Sequence, residues 1–389
     1  KNNLEALRFN PLISGYEWWL IVDYWGGNNG LTDSFMRPKS IADGIGGFHG
    51  NVVLLQRGVA VAYTGGQTLT ASIYVSNFGR TDLAAGTAVA WQLVASTGVV
   101  KSGVLRLATV APRGNLSLVG NMSVLLPRGG TTRNTGAKPV ALTLEVSVAD
   151  ADASERVVSN NWTTTLYPVF EDGPSPPEWV VTVESDDMLQ QCMFDDCQVI
   201  PDGPPSNLTA NRVHLTRAMQ DRYLQIAELG GVVILVPNGS DSFYPTERTS
   251  YKQAWWVGNQ HDNNAGTVVY PSAAAIFGVE AAPAGWADWT WWRAIEGAQT
   301  FILDDFGPDE RAHTTVHLRA IDIVTLSRNK ALLFEMQVGQ GTIFGVGLNV
   351  LQPCHRTKDG NAVCDAAEKA WLLDRLLRHA GSLVQLSKQ

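Results

Sequence analysis

The densest run of groups able to do chemistry lies near the start of the chain: Glu17, Trp18, Trp19, Asp23, Tyr24, Trp25, Asn28, Asn29, Asp33 and Arg37. Indole rings beside carboxylates and amides suit a sugar, which offers apolar faces and many hydroxyls together. On a strand Trp18 and Trp19 point to opposite sides, so one packs inward while the other faces a cavity. Trp18, Trp19, Asp23, Trp25, Asn28 and Asn29 are therefore the candidate substrate-binding residues. The competing reading is an aromatic-packed strand end with a solvated loop. Glycoside hydrolysis needs two carboxyl groups across the scissile bond, about 5–5.5 Å apart for retention and wider for inversion. Glu17 and Asp23 on one extended strand stand roughly 20 Å apart. The run is thus at most one wall of a site whose acid and nucleophile come from elsewhere.

Other candidates are weaker. An aromatic insertion over 251–297 holds Trp255, Trp256, Trp286, Trp289, Trp291 and Trp292, with His261 and Asp262 nearby; it reads as a small local core or lid, or as a second carbohydrate surface. No spacing makes ligands of His261, Asp262 and His49. His313 and His317 are four apart, but the stretch leads into a strand, where the helical i,i+4 argument fails. GGVVILVPNGSD has the outline of a strand-end nucleophile turn. However, its turn is Pro237-Asn238-Gly239, and Ser240 and Ser242 have no sequence-marked histidine partner. The glycines at 44, 46 and 47 lack the strand and helix context of a dinucleotide site. No catalytic residue, metal site or cofactor is expected within this chain.

The elements that would position these groups fall into three segments. Residues 1–44 read as a helix over K-N-N-L-E-A-L-R-F, a strand from Tyr16 to Val22 and an irregular loop. One helix and one strand cannot bury a core, so this segment is expected to pack against a separate polypeptide or sequence upstream of Lys1. Over 50–170 only strands appear: VVLLQ, LTASIYVSNFG, TAVAWQLV, GVLRLATV, LSLVGNMSVLLP, PVALTLEVSVADA and NNWTTTL, with glycine or proline between them. That rhythm predicts an antiparallel β-sandwich. E-D-G-P-S-P-P-E, 171–178, is a linker. From 179 to 387, WVVTVES, a helix-like stretch over 213–229, GGVVILV, QTFILDD, KALLFEMQVG, GTIFGVGLNV and a final helix over 365–380 predict an α/β domain. Its sheet is expected to be mostly parallel and covered on both faces.

Length and charge bound the partners. A chain of 389 residues can hold two or three cores. With 17% charged residues and a net charge of -8, neither a nucleic-acid backbone nor an anionic membrane is the natural partner. No apolar run is long enough to span a bilayer. A signal peptide, if the protein has one, is removed or lies upstream of Lys1. Cys192, Cys197, Cys354 and Cys364 form two close pairs. Four cysteines allow three connectivities, of which the local one is expected; a zinc site is the other reading, though the spacings do not match the usual knuckles. Sequons at Asn115, Asn121, Asn161, Asn207 and Asn238 make these the candidate glycosylation sites. Both signals point to the cell surface or extracellular space, or to a lysosomal or vacuolar lumen.

The run F-N-P-L-I-S-G-Y-E-W-W-L-I-V-D-Y-W-G-G-N-N-G-L-T-D-S-F-M-R-P-K, residues 9–39, resembles the eighth strand and following loop of the (β/α)8 barrel of family 2-like glycoside hydrolases, relatives of β-galactosidase, β-mannosidase and β-glucuronidase. In that family an immunoglobulin-like sandwich commonly follows the barrel. Residues 217–239 and 331–351 resemble the glutamine-amidotransferase-like domain of some β-galactosidases, non-catalytic and lacking the cysteine of true amidotransferases. The resemblance implies that Trp18 or Trp19 lines a sugar pocket and that the acid and nucleophile glutamates lie upstream of Lys1. This chain alone would then not hydrolyse glycosides. Implied partners are a carbohydrate and the upstream barrel, as a separate chain or segment of one precursor, and a homo-oligomer is compatible. The alternative is a non-catalytic extracellular glycoprotein for carbohydrate binding or structural assembly.

Overall fold

The computed structural model describes residues 1–10, 12–13, 15–18, 20–23, 30–39, 42, 44–128, 138–149, 157–168, 180–185, 188, 197–200, 204–208, 212–239, 243–249, 264–278, 292–295, 297–322, 326–351, 354–356, 362–364 and 366–386. The chain divides into two compact units, 1–127 with 140–166 and 128–139 with 167–389.

The first unit is a sandwich of two antiparallel sheets. One has the order β1 (Val52–Arg57), β3 (Thr68–Asn77), β6 (Asn115–Leu125). The other has the order β2 (Ala62–Thr64), β8 (Val157–Tyr167), β7 (Val140–Ala149), β4 (Ala88–Ala95), β5 (Gly98–Arg106). Alternation sets the inward faces: Leu69, Ala71, Ile73 and Val75 of β3 meet Val89 and Leu93 of β4 and Leu142, Leu144 and Val146 of β7 in one core. β5 begins five residues before the Gly103 start expected from the sequence, because Gly98, at φ 125°, closes a tight hairpin with Ala95.

The N-terminal helix α1 (Asn2–Phe9) ends where expected, with the Asn10 N–H bonded to the Leu7 carbonyl. Contrary to expectation, it finds its partner within the chain. Leu4 and Glu5 are buried on the sandwich, the Phe9 ring meets Tyr74 edge-on at 5.3 Å, and the Arg57 guanidinium lies 4.3 Å from the Phe9 centroid. The strand expected over Tyr16–Val22 does not form among its described residues. Only an isolated parallel bridge joins Val22 to Thr32, since an extended segment stays regular only beside a strand that pairs its backbone groups.

The second unit is built on an incompletely closed mixed sheet rather than a mostly parallel one. The strands β10 (Gln198–Val199), β9 (Val180–Val183), β11 (Arg212–Thr216), β12 (Val232–Leu235) and β18 (Gly341–Val346) run parallel in that order. From β18 the sheet continues antiparallel through β17 (Asn329–Val338), β15 (Gln299–Ile302) and β13 (Thr246–Arg248), and β17 also carries β16 (Thr314–Asp322) and then β14 (Asn264–Val269). A hairpin of β19 (Cys354–Arg356) and β20 (Ala362–Cys364) stands apart. The helix expected over 213–229 is strand β11 followed by α2 (Asp221–Glu228), because Val213, His214, Leu215 and Thr216 are buried between two parallel neighbours.

Helices cover both faces of the parallel part. Tyr223, Ile226 and Ala227 of α2 pack with Val233, Leu235 and Ile343. On the opposite face α5 (Ala367–Leu386) buries Trp371, Leu372, Leu376 and Leu377, and its His379 ring lies 5.7 Å from Phe344, the residue after Ile343 and hence on the other side of β18. Two shorter helices, α3 (Pro271–Phe277) and α4 (Pro308–Ala312), flank the antiparallel part.

Candidate functional site

Of the sequence-predicted sugar residues, Trp18 and Asp23 are half-buried, while Trp19, Trp25, Asn28 and Asn29 lie outside the described residues. Asp23 acts as a loop clamp. Its carboxylate accepts the Gly30 N–H at 2.8 Å and pairs with Lys39 at 2.6 Å, and the Lys39 bond foremost lowers its pKa. A Cβ at residue 30 would come within 2.4 Å of the Asp23 nitrogen, so the turn requires glycine. Asp33 repeats the device, accepting the N–H groups of Phe35 and Arg37 and the Arg37 side chain at 2.6 Å.

The tryptophans of the insertion at 255, 256, 286, 289 and 291, with His261, Asp262, Ser240 and Ser242, also lie outside the described residues, as does the linker. Cys197 is disulfide-bonded. Cys354 and Cys364 stand directly opposite in the β19–β20 ladder. Cys192 is outside the described residues. The five sequon asparagines are all exposed. Among the described residues no helix is long and apolar enough to cross a membrane.

A polar cleft of about 640 Å³ lies on the five-stranded sheet of the sandwich. Register explains its chemistry. Gln92 stands opposite Ser102 on one side and Glu145 on the other, Glu145 opposite Asn161, and Ser147 opposite Ser159. Alternation places these six on one face, away from the core residues Leu93, Leu144, Val146 and Trp162. The Gln92 amide donates to the Glu145 carboxylate at 2.6 Å. The result is a floor of hydroxyls, amides and one carboxylate, able to donate and accept without carrying out proton transfer between paired acids.

In the second unit three polar clusters were not legible from spacing. Arg328 and Lys330 alternate with Asp322 and Glu247. Arg328 is bidentate to Glu247 at 2.8 and 2.9 Å and reaches Asp322 at 2.8 Å, while the fully buried Lys330 lies 2.6 Å from Asp322 and also bonds Glu247. Burial acts to raise the Asp322 pKa, but hydrogen bonds from Arg328 and Lys330 outweigh it and bring it to about 2. A strand lysine inside the apolar run KALLFEMQV was the one sequence signal for this network.

Glu335 of β17 lies 3.5 Å from His317 Nε2 and 3.9 Å from His379 Nε2, and His317 Nδ1 meets the Ser272 hydroxyl at 2.8 Å. The neighbouring imidazoles, His317 first, bring the Glu335 pKa down to about 2. Ser272, His317 and Glu335 have the residue types of a hydrolytic relay. Yet His317 is buried and its Nε2 makes no hydrogen bond, so the row ties α3 and α5 to the sheet rather than activating a nucleophile.

The parallel strands follow a doubly wound order whose direction reverses between β9 and β11, where such sheets open a crevice. There the Thr216 hydroxyl donates to the Glu184 carboxylate, and the Tyr223 phenol is raised by burial and then by Glu184. His214 is no ligand candidate: both ring nitrogens are engaged, by Thr182 at 2.6 Å and the Leu208 carbonyl at 2.7 Å, and burial lowers its pKa to about 4. Among the described residues no three His, Cys, Asp or Glu side chains converge on a metal position.

Two family models match, each described as a domain of unknown function: DUF8488 over residues 67–168 and DUF8487 over 214–366. No curated protein matches the chain. Among solved structures, the sporulation control protein Spo0M of Bacillus subtilis is 12% identical with a TM-score of 0.23, over 30% of this chain and 49% of that one. A β-glucuronidase of Parabacteroides merdae is 13% identical with a TM-score of 0.21, over 48% of this chain and 24% of that one. Another β-glucuronidase, of glycoside hydrolase family 2, is 10% identical with a TM-score of 0.20, over 53% and 21%. The chain therefore spans under half the length of each of these neighbours, and its resemblance to β-glucuronidase-like folds is weak and of low identity.

Proposed function

We propose that this chain is a non-catalytic, carbohydrate-associated module of an extracellular glycoprotein. The observation that carries the reading is the cleft over Gln92, Ser102, Glu145, Ser147, Ser159 and Asn161, whose donors and acceptors suit a polyol. Exposure of Asn115, Asn121, Asn207 and Asn238 supports glycosylation at these sites, and with it passage through a secretory route; a glycan on the exposed sequon Asn161 would fill the cleft, so in this reading that asparagine stays unmodified. Disulfides Cys192–Cys197 and Cys354–Cys364 belong to the same reading. Screening the purified chain against an oligosaccharide array, followed by calorimetry on Glu145→Ala and Gln92→Ala, tests it. Binding weakened at least tenfold by either substitution is the expected outcome. Binding that ignores both, or hydrolysis of aryl glycosides by the chain alone, would sink it.

A second reading is favoured by Leu12, Ile21, Phe35 and Met36, which are 90%, 69%, 78% and 73% exposed within one short segment. A concentration of bare apolar side chains marks an interaction surface. In this reading residues 1–44 complete a (β/α)8 barrel supplied by an upstream segment or chain, with Trp18 and Trp19 as a sugar-pocket wall. The second unit is then an amidotransferase-like association domain, and the whole assembly is a glycoside hydrolase acting on β-linked glycosides. Mass measurement of the native particle tests it: a stoichiometric barrel-bearing partner supports it, and the chain alone removes it.

A further inference from the structure

A second, smaller cavity of about 180 Å³ lies in the first unit, between the N-terminal segment and the three-stranded sheet. Arg8, Asn10 and Tyr16 form one wall, and Ser76, Phe78 and Leu116 the other. The Arg8 guanidinium is held in place by donation to Ser76 Oγ at 3.3 Å and to the Gly50 carbonyl, and it stacks 5.3 Å from the Phe78 centroid. With the Tyr16 hydroxyl as a third partner, N–H groups are still left over, and its Nε is buried with no hydrogen-bond partner. Among the described residues no carboxylate pairs with it; burial lowers its pKa, opposed by its interaction and hydrogen bond with the Tyr16 hydroxyl. A fixed, partly desolvated cation without a counter-ion is costly unless something negative arrives.

We propose that this cavity binds a small monocarboxylate with an apolar body, its carboxylate on Arg8 and its body against Phe78 and Leu116. A guanidinium fork matches a carboxylate in plane and spacing. The volume, below the roughly 300–1,000 Å³ of drug-sized sites, limits the occupant to about one ring. Inorganic phosphate is the poorer fit, because it would leave Leu7, Ile13, Phe78 and Leu116 facing an ion that needs donors on several sides.

Benzoate is the probe, with neutral benzamide and inorganic phosphate as comparisons, read by NMR at the Arg8 Nε–H and the Phe78 ring. Saturable shifts with benzoate alone are expected, weakened at least tenfold by Arg8→Gln. Because Arg8 also anchors α1, Leu116→Trp is the second variant: it fills the cavity from β6, leaves the Arg8 bonds in place, and is expected to abolish the shifts. Absence of saturation, equal binding of benzamide, competition by phosphate as strong as by benzoate, or binding unaffected by Leu116→Trp would each overturn the proposal.

Discussion

The Glu5 carboxylate accepts the indole N–H of Trp162 at 2.9 Å, joining the first helix to the last strand of the sandwich across 157 positions of sequence. Its other oxygen accepts the Asn160 amide at 2.8 Å, and that amide also donates to the Leu54 carbonyl at 2.8 Å. Of the described side chains of α1, only Leu4 and Glu5 are buried. At about 1.5–3 kcal/mol for a fully buried aliphatic side chain, Leu4 alone is a thin anchor, and the polar clamp adds to the Phe9–Tyr74 contact and the Arg8 bonds in docking the helix.

Glu5→Ala leaves the Trp162 indole N–H and one of the two Asn160 amide N–H groups buried and unsatisfied, the other still bonded to Leu54. Each such group costs about 1–3 kcal/mol, so the first unit should lose roughly 2–4 kcal/mol. Urea unfolding followed by tryptophan fluorescence measures this. Hydrogen exchange should in addition show α1 unprotected while β7 stays protected. A loss under 0.5 kcal/mol would mean that α1 detaches freely and that its contacts are incidental.

A second prediction concerns close approach. Phe334 and Gly345 are opposite each other on β17 and β18, and a Cβ at 345 would lie 2.0 Å from the Phe334 ring. The ring covers the bare backbone of the glycine and packs edge-on against Phe301 at 5.0 Å. Gly345→Ala should therefore destabilise the second unit by about 1–3 kcal/mol through overpacking. Adding Phe334→Leu should recover part of that loss, whereas Phe334→Leu alone is destabilising. Additive losses in the double-mutant cycle would show that the two sites are not coupled.

These two cases also show what could be read in advance. The strands of the sandwich were legible because β3 and its neighbours alternate on a surface with one wet face, so Leu69, Ala71, Ile73 and Val75 announce themselves. In the second unit β12 is buried on both sides, and Val232–Leu235 carry no period that tells parallel from antiparallel. Arg212–Thr216 reads as the start of a helix in sequence because Val213 and Leu215 continue an apolar spacing into Tyr223 and Ile226. The aromatic run at Tyr16–Val22 has strand character in sequence, but its described residues pair with no strand among the described residues. The polar cleft is not legible in the sequence, because serine, glutamine and asparagine on an outer sheet face look like ordinary solvated positions until register sets them side by side.

The ion network at the end of β17 makes a third prediction. Lys330 is fully buried and neutralises Asp322 and Glu247 together with Arg328. Breaking such a network at one member costs about 3–5 kcal/mol, because the remaining charges stay buried and imbalanced. Lys330→Met should lose that much at pH 7 in urea, an uncharged denaturant. Restoring charge balance with Lys330→Met/Asp322→Asn should recover part of it. If the double variant is less stable than the single one, the destabilisation comes from shape rather than charge.

Glu335 provides the pH test. Its pKa is lowered to about 2 by His317 and His379, whereas an unfolded glutamate titrates near about 4.3. A carboxylate with a depressed folded pKa contributes stability that is complete above its unfolded pKa and disappears as pH falls through the folded one. The contribution, on the order of 2–3 kcal/mol by linkage, should therefore fade between about pH 4.5 and pH 2. Asp322 loses its contribution in the same window, so Glu335→Gln should flatten the acid limb of the stability curve without abolishing it. His379→Ala, which removes one of the two imidazoles, should move the Glu335 carboxyl resonance to a higher titration midpoint and weaken protection along α5. A midpoint unchanged in His379→Ala would assign the depression to His317 alone and leave α5 held by its apolar face, from Trp371 to Leu377.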